Sequence, residues 1–255
     1  MNIYVLLKQT FDTEEKIVIE NGSVSDDGVK FVINPYDEYA VEQAIQLRDE
    51  HGGNVTVVSV GPERTAEALR SALAMGADQA VLISNDGIPS DELAISRVLA
   101  AYLKDQSVDL LFGGNFSVDN GAGQVAVRLA ALLGIPHAGS ITKLDIQSGK
   151  AIVNRDAEGD IEVLEVALPA LFTAQQGLNE PRYPSLQGIM KAKKKPFTFI
   201  SLDDIGLDIA DLSSSVERVE LSLPPERAAG RILKGEVREQ AAELVSLLRS
   251  EAKAI

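Results

Sequence analysis

Two short groups of residues in this chain have the types and spacing to hold a ligand, and each follows an apolar run and opens a helical pattern. The richer is Gly113-Gly114-Asn115-Phe116-Ser117-Val118-Asp119-Asn120-Gly121-Ala122-Gly123-Gln124. Glycines there let the backbone approach a ligand, and free N–H groups at the start of the following helix suit a phosphate. No Lys-Ser/Thr pair follows, so this is not a Walker A loop, and the full GxGxxG fingerprint is missing. A tight turn with an ordinary helix cap explains the glycines equally well. The second group, Asn34-Pro35-Tyr36-Asp37-Glu38, offers polar groups for an adenine or ribose and a ring for an aromatic ligand. It also reads as a turn that starts a helix, with Pro35 fixing φ and the two acids favoured by the helix dipole.

A third segment, Leu178 to Pro196, is written against the composition around it. The chain has 38 acidic and 24 basic residues and a formal net charge of -14, yet Arg182, Lys191, Lys193, Lys194 and Lys195 here face only Glu180. Such a run serves either as a solvated linker or as a binding surface. Asn179, Glu180, Pro181, Arg182, Tyr183 and Pro184 are mostly turn formers, so Leu178 and Tyr183 are apolar groups on an expected surface loop, where they invite a partner.

The missing residue types narrow the chemistry. With no cysteine, disulfides and thiolate metal sites are excluded, and His51 and His137 alone do not make a histidine-rich metal centre. No HExxH, GxSxG or carboxylate pair flanked by a base is present, so a hydrolase or acyl-transfer enzyme lacks its parts. An acidic chain whose lysine cluster is not interleaved with aromatics is not expected to bind nucleic acid. The N-terminal apolar run stops at Lys8 without a basic lead, and no stretch approaches the ~18 to 20 apolar residues that cross a bilayer. The expectation is a soluble cytoplasmic binding protein without membrane insertion.

These groups must be positioned by an alternation of strands and helices. Ile3 to Leu7, Val55 to Val60, Ala80 to Ile83 and Asp109 to Phe112 are nearly continuous apolar runs, as buried parallel strands require. Between and after them, Tyr39 to Arg48, Pro62 to Met75, Leu93 to Leu103 and Gly123 to Leu133 carry apolar stripes at helical spacing. In the first helix the stripe is Ala40, Ala44, Ile45 and Leu47, with Glu42 and Gln43 assigned to the opposite side. The pattern predicts an α/β fold with a doubly wound, mostly parallel, Rossmann-like sheet, whose ligands bind at the carboxyl ends of the strands.

Two excursions depart from it: a hairpin within Lys16 to Val32, and antiparallel strands flanking Asp156 to Asp160 between Ile141 and Thr173. After Pro196 the pattern thins until a last helix from Val237 to Lys253, which reads as an extended C-terminal arm or a mobile linker. The expected division is a Rossmann-like nucleotide-binding domain over residues 1–195 and an arm over residues 196–255.

Several segments together resemble the β subunit of electron transfer flavoprotein. They are Lys8, Asn34 through Glu42, Gly61-Pro62, Leu69-Arg70, Ala72 through Asp78, Gly123-Gln124, Val153-x-Arg155 with Glu158-Gly159, Pro169-Ala170 and Thr173. Leu178-Asn179-Glu180-Pro181-Arg182-Tyr183 and Ile189 through Pro196, the most specific of them, complete a match that spans nearly the whole chain. The resemblance implies a heterodimer whose α subunit carries FAD and whose β subunit holds AMP, or a second FAD in electron-bifurcating relatives. Such a carrier takes electrons from acyl-CoA or related dehydrogenases, as in fatty acid oxidation, and passes them to a quinone oxidoreductase.

Carried over by motif, Leu6, Asn34, Pro35, Tyr36, Asp37, Val60, Asp119, Asn120, Gly121, Ala122, Gly123 and Gln124 would contact the nucleotide, and Tyr36 would also approach the α-subunit flavin. Residues 174–190 would form the dehydrogenase-docking loop, built on Leu178, Asn179, Glu180, Pro181, Arg182 and Tyr183 with Leu178 as apolar anchor. The arm would pack on the α subunit. Two departures stand out: Phe172 replaces the usual smaller aliphatic, and loop 118–123 lacks the Asp-Thr-Ala run of bifurcating members, which leans toward AMP. An adenine-nucleotide enzyme or sensor of the same fold is the alternative reading.

Overall fold

The computed structural model describes every residue except Glu226 and Ala228. In chain order the strands are β1 (Asn2–Leu6), β2 (Gln9–Phe11), β3 (Ile19–Glu20), β4 (Ser23–Val24), β5 (Phe31–Ile33), β6 (Asn54–Gly61), β7 (Gln79–Ser84), β8 (Leu110–Gly114), β9 (His137–Gln147), β10 (Lys150–Ala157), β11 (Asp160–Ala167), β12 (Ala170–Ala174) and β13 (Phe197–Ile200). The helices are α1 (Pro35–His51), α2 (Ala66–Met75), α3 (Glu92–Leu103), α4 (Val125–Leu133), α5 (Leu186–Ala192) and α6 (Val237–Ser250).

One nine-stranded sheet runs in the order β11-β10-β9-β12-β8-β1-β6-β7-β13. From β9 to β13 in that order every neighbouring pair is parallel, whereas β9, β10 and β11 form an antiparallel meander at the other end. The sequence-derived α/β class, with a doubly wound, mostly parallel sheet and a few antiparallel strands, is the observed architecture. Parallel strands buried on both faces must be apolar on both, and Val55, Val57 and Val58 in β6 and Leu110, Leu111 and Phe112 in β8 are all buried. Helices α1 and α2, with Ala192 of α5, close one face over Ile3, Val5 and Val57, and α3 and α4 close the other over Val58, Val81 and Leu111. Phe172, the unusual residue ahead of Thr173, is fully buried with its ring centroid 5.9 Å from that of Phe112, so the larger side chain fills the core between β12 and β8.

Helix ends follow their local chemistry. Asp91 caps α3, its carboxylate accepting from the Leu93 and Ala94 amides, and α4 stops at Gly134, which takes the left-handed conformation at φ 66°. Helix α1 begins at Pro35, four residues before the apolar stripe made it visible, because proline at N1 and the acids Asp37 and Glu38 in the first turn suit a helix start.

Three features differ from the sequence expectation. Strand β2 pairs antiparallel with β5 in a small sheet of its own, so the excursion after β1 is larger than one hairpin; the hairpin itself is β3 and β4 around Asn21-Gly22. Strand β13 joins the edge of the main sheet beside β7, so the compact unit runs on past residue 195, to Val219, apart from Ile19–Val24. Glu42 and Gln43, assigned to the solvent side of α1, are buried at 3% and 7% exposure, because a distant loop covers them.

The second unit, Ile19–Val24 with Glu220–Ile255, contains the β3–β4 hairpin and α6. Helix α6 starts with a reciprocal capping box between Glu236 and Glu239 and exposes Val237, Leu244 and Val245. Among the described residues no helix is long and apolar enough to cross a membrane, and no group of His, Cys, Asp or Glu could hold a metal ion.

Candidate functional site

The order of the strands reverses at β1. The chain proceeds from β1 outward through β6 to β7, then returns to the other side of β1 as β8. In open α/β sheets the crevice at such a reversal, outside the carboxyl ends, is where ligands bind. The loops that leave β1, β5 and β8 meet there.

One buried carboxylate fastens them together. Asp37, in the first turn of α1, accepts from the Lys8 amide at 2.7 Å through Oδ2, and from the Gly114 amide at 2.8 Å and Asn34 Nδ2 at 3.1 Å through Oδ1. Burial pushes its pKa up to about 7, against the pull of those three N–H donors. Gly114 must be glycine, since a Cβ there would lie 2.3 Å from Asp37 Oδ1 and 2.7 Å from Tyr36 Cβ.

Asn34 carries the fastening further into the loop after β8. Its Nδ2 also donates to the Phe116 carbonyl at 2.9 Å, and its Oδ1 accepts from the Val118 amide at 3.2 Å. Beside it, Lys8 Nζ donates to Ser117 Oγ at 3.2 Å and Asp119 Oδ1 at 2.7 Å. Burial opposes ionisation of Asp119, but the hydrogen bond from Lys8 and the charge of its ammonium hold the Asp119 carboxyl below the ordinary range. Ser117 Oγ donates to Asn120 Oδ1 at 2.8 Å, and Asn120 Nδ2 reaches Glu92 Oε1 at 3.3 Å. The rings of Tyr36 and Phe116 pack at 4.3 Å between centroids.

The loop ends in an uncapped helix. Gly121 and Gly123 have φ of 66° and 61°, and Gln124, at the N-cap of α4, makes no capping bond because its Oε1 accepts from Arg128 instead. The first amides of α4 thus keep the free donors that an anion would use.

The expected nucleotide residues therefore divide in two. Asn34 and Asp37 are brought together with the loop 114–120, but their polar atoms are spent on the protein itself, so they shape the site. Asp119, Asn120, Gly121, Ala122, Gly123 and Gln124 form the loop's own surface and the helix entrance, while Leu6 and half-buried Val60 sit at the carboxyl ends of β1 and β6. Pro35 and Tyr36 begin α1 at the same end. Lys8, Ser117 and Glu92 were given no role by the sequence reasoning; the position of Lys8 just past the first apolar run was the available signal.

The basic segment lies elsewhere in the main unit and differs more from expectation. Leu178, expected as the exposed anchor, is half-buried and packs against the chain's own core. The exposed apolar groups are Tyr183 at 94%, Leu186 at 79%, Met190 at 61% and Ile189 at 45%, on the turn before α5 and on α5 itself. Arg182 is not a free rim charge: its Nε and Nη2 grip Glu42 at 2.8 and 2.9 Å. Asn179 Nδ2 donates to the Tyr39 carbonyl and to Gln43. Lys195 is also spent, donating to the Leu73 and Ala77 carbonyls at the end of α2, and burial lowers its pKa. Lys191, Lys193 and Lys194 remain exposed.

Comparison with known proteins identifies the family. Residues 21–205 match the model of the electron transfer flavoprotein domain. The chain is 58% identical to the electron transfer flavoprotein subunit beta of Bacillus subtilis, and 41% identical to that of Syntrophomonas wolfei. The first match covers all of both chains, the second 99% of this chain and 98% of the relative. It is also 39% identical, over 98% of its length and 99% of the relative's, to the caffeyl-CoA reductase-Etf complex subunit CarD of Acetobacterium woodii. The chain belongs to the electron transfer flavoprotein family, as a β subunit, and is an electron-carrier subunit rather than an enzyme.

Proposed function

We propose that this β subunit binds AMP at the carboxyl-end crevice, pairs with an FAD-bearing α subunit, and offers the turn before α5, with α5 itself, to acyl-CoA or related dehydrogenases. Electrons received by the α-subunit flavin would then pass to a quinone oxidoreductase, as in fatty acid oxidation. The observation that carries the nucleotide reading is the uncapped start of α4 behind a loop already fixed by Asp37, Asn34 and Lys8. Lys8 is neutralised by Asp119, so phosphate binding falls to backbone N–H groups, which hold one phosphate without a side-chain cation. A loop ordered in advance loses little entropy when the ligand arrives.

The docking surface moves, on this reading, from Leu178 to Tyr183, Leu186, Ile189 and Met190, because those side chains have apolar area to bury in a partner. Glu180 and Pro181 complete the turn, Leu178 and Asn179 tie it to the core, and Lys191, Lys193 and Lys194 supply the charged rim. A small apolar centre with a charged rim suits a transient redox encounter, in which association is steered and release must follow. The exposed apolar positions of α6 suit an arm that packs on the α subunit.

Cofactor stoichiometry of the purified heterodimer tests the nucleotide reading. One FAD and one AMP per heterodimer is the expected result. Two FAD would make this the bifurcating type, and a chain that releases no nucleotide on denaturation would refute the site.

A further inference from the structure

Glu38 and Glu42 stand one turn apart on α1, the spacing that places two side chains on one ridge. Glu42 is answered from within the chain: Arg182 grips it with two guanidinium nitrogens, and its backbone amide adds a third contact at 3.2 Å. Glu38 has no such answer. It is half-buried, it makes no ion pair among the described residues, and burial raises its carboxyl with no cation close enough to offset it.

The surroundings of Glu38 form a site. It lines a groove of about 520 Å³ together with Phe31, Tyr39, Met75 and Tyr183. Lys30 also lines the groove, but its ammonium is held 2.6 Å from Asp12. Arg182 lines it too, but its guanidinium is spent on Glu42; apart from these cations and Ser71 the walls are aromatic and apolar, and one carboxylate lies among them. That combination fits a cation carried on an apolar stem, whose methylenes lie along the walls and whose planar head can lie on an aromatic face. The groove is continuous with the exposed apolar patch, because Tyr183 belongs to both.

We propose that this groove receives an arginine side chain of the redox partner, which pairs with Glu38 as Arg182 pairs with Glu42. The inference rests on the docking reading above and supplies a polar contact beside its apolar anchor. The apolar patch gives adhesion, and the arginine fixes the orientation in which the partner lands. A chain with net charge -14 attracts a basic surface over distance, and Glu38 gives that attraction a defined end point.

The test is stopped-flow reduction of the full heterodimer by an acyl-CoA dehydrogenase charged with butyryl-CoA, for the wild type, Glu38→Gln and Leu186→Ala. Glu38→Gln should lower the second-order rate about three- to tenfold at low ionic strength, the gap closing as salt rises. Its urea midpoint should stay level or rise, because an unpaired half-buried carboxylate has been removed. A structural role alone would lower stability and leave the rate untouched. A slowed Leu186→Ala beside an unchanged Glu38→Gln overturns the arginine site and spares the docking surface. Unchanged rates for both overturn both, and an oligomeric state that depends on Glu38 at an unchanged rate would assign the groove to a second copy instead.

Discussion

Arg182→Ala should destabilise the chain through the carboxylate it leaves behind. Glu42 has a side chain only 4% exposed and accepts from Arg182 Nε at 2.8 Å, Arg182 Nη2 at 2.9 Å, the Arg182 amide at 3.2 Å and Gln46 Nε2 at 2.8 Å. The substitution removes two charge-assisted bonds and, among the described residues, the only cation paired with Glu42, while Gln46 and the backbone amide remain. Removing one partner of a buried pair costs about 3 to 5 kcal/mol. The Arg182 side chain is 40% exposed, so solvent screening brings the expected loss to roughly 2 kcal/mol at neutral pH.

The pH dependence tests the cause of that loss. In the wild type, burial works against the Glu42 carboxylate, but the bonds from Arg182 and Gln46 win, and its pKa lies below the ordinary value. A depressed folded-state pKa contributes stability that is fully present above the unfolded value and lost as pH falls through the folded one. Without Arg182 burial dominates and the pKa rises, so the variant is weakest near neutral pH and recovers relative to the wild type as Glu42 becomes protonated. Urea unfolding of the full chain at pH 7 and at pH 4.5 measures both quantities. A deficit of the same size at both values, or one below about 0.5 kcal/mol at pH 7, would refute the assignment of the loss to an uncompensated carboxylate.

The two leucines of the basic segment should separate docking from folding: Leu186→Ala slows reduction by the dehydrogenase with stability held within about 0.5 kcal/mol. Leu178→Ala, by contrast, lowers stability by about 1 to 3 kcal/mol, and the reverse pattern in parallel rate and urea measurements would restore Leu178 as the anchor. Gly114→Ala places a methyl group against Asp37 Oδ1 and Tyr36 Cβ, so it should break the fastening between α1 and β8 and reduce the nucleotide recovered per heterodimer. Full nucleotide content in that variant would show that the loop does not depend on Asp37.

Much of the fold was legible because local patterns and tertiary demands agree. Continuous apolar runs such as VTVVSV can be buried on both faces only in a covered parallel sheet, and the stripe of α2 leaves one face for the core. Legibility failed where contacts between distant segments decide. Glu42 and Gln43 look like solvent residues until a loop about 140 positions away brings Arg182 and Asn179 onto them. Leu178 and Leu186 are the same residue type in the same segment, and no local rule says which turns inward. Strand β13 lacks a continuous apolar run, since Thr198 interrupts it, and it is a strand because the edge of β7 is available to it.

The sequence by itself determined the fold class, because continuous apolar runs and helical stripes lie in neighbouring residues, and its motifs carried the resemblance to the family. Tertiary structure decided what each polar and apolar group is used for. Asp37 and Asn34 turn their hydrogen bonds into scaffolding, Arg182 and Lys195 are drawn into the body of the protein, and Leu186 is left outside. Burial and pairing are properties of the space around a side chain, and only the folded chain fills that space.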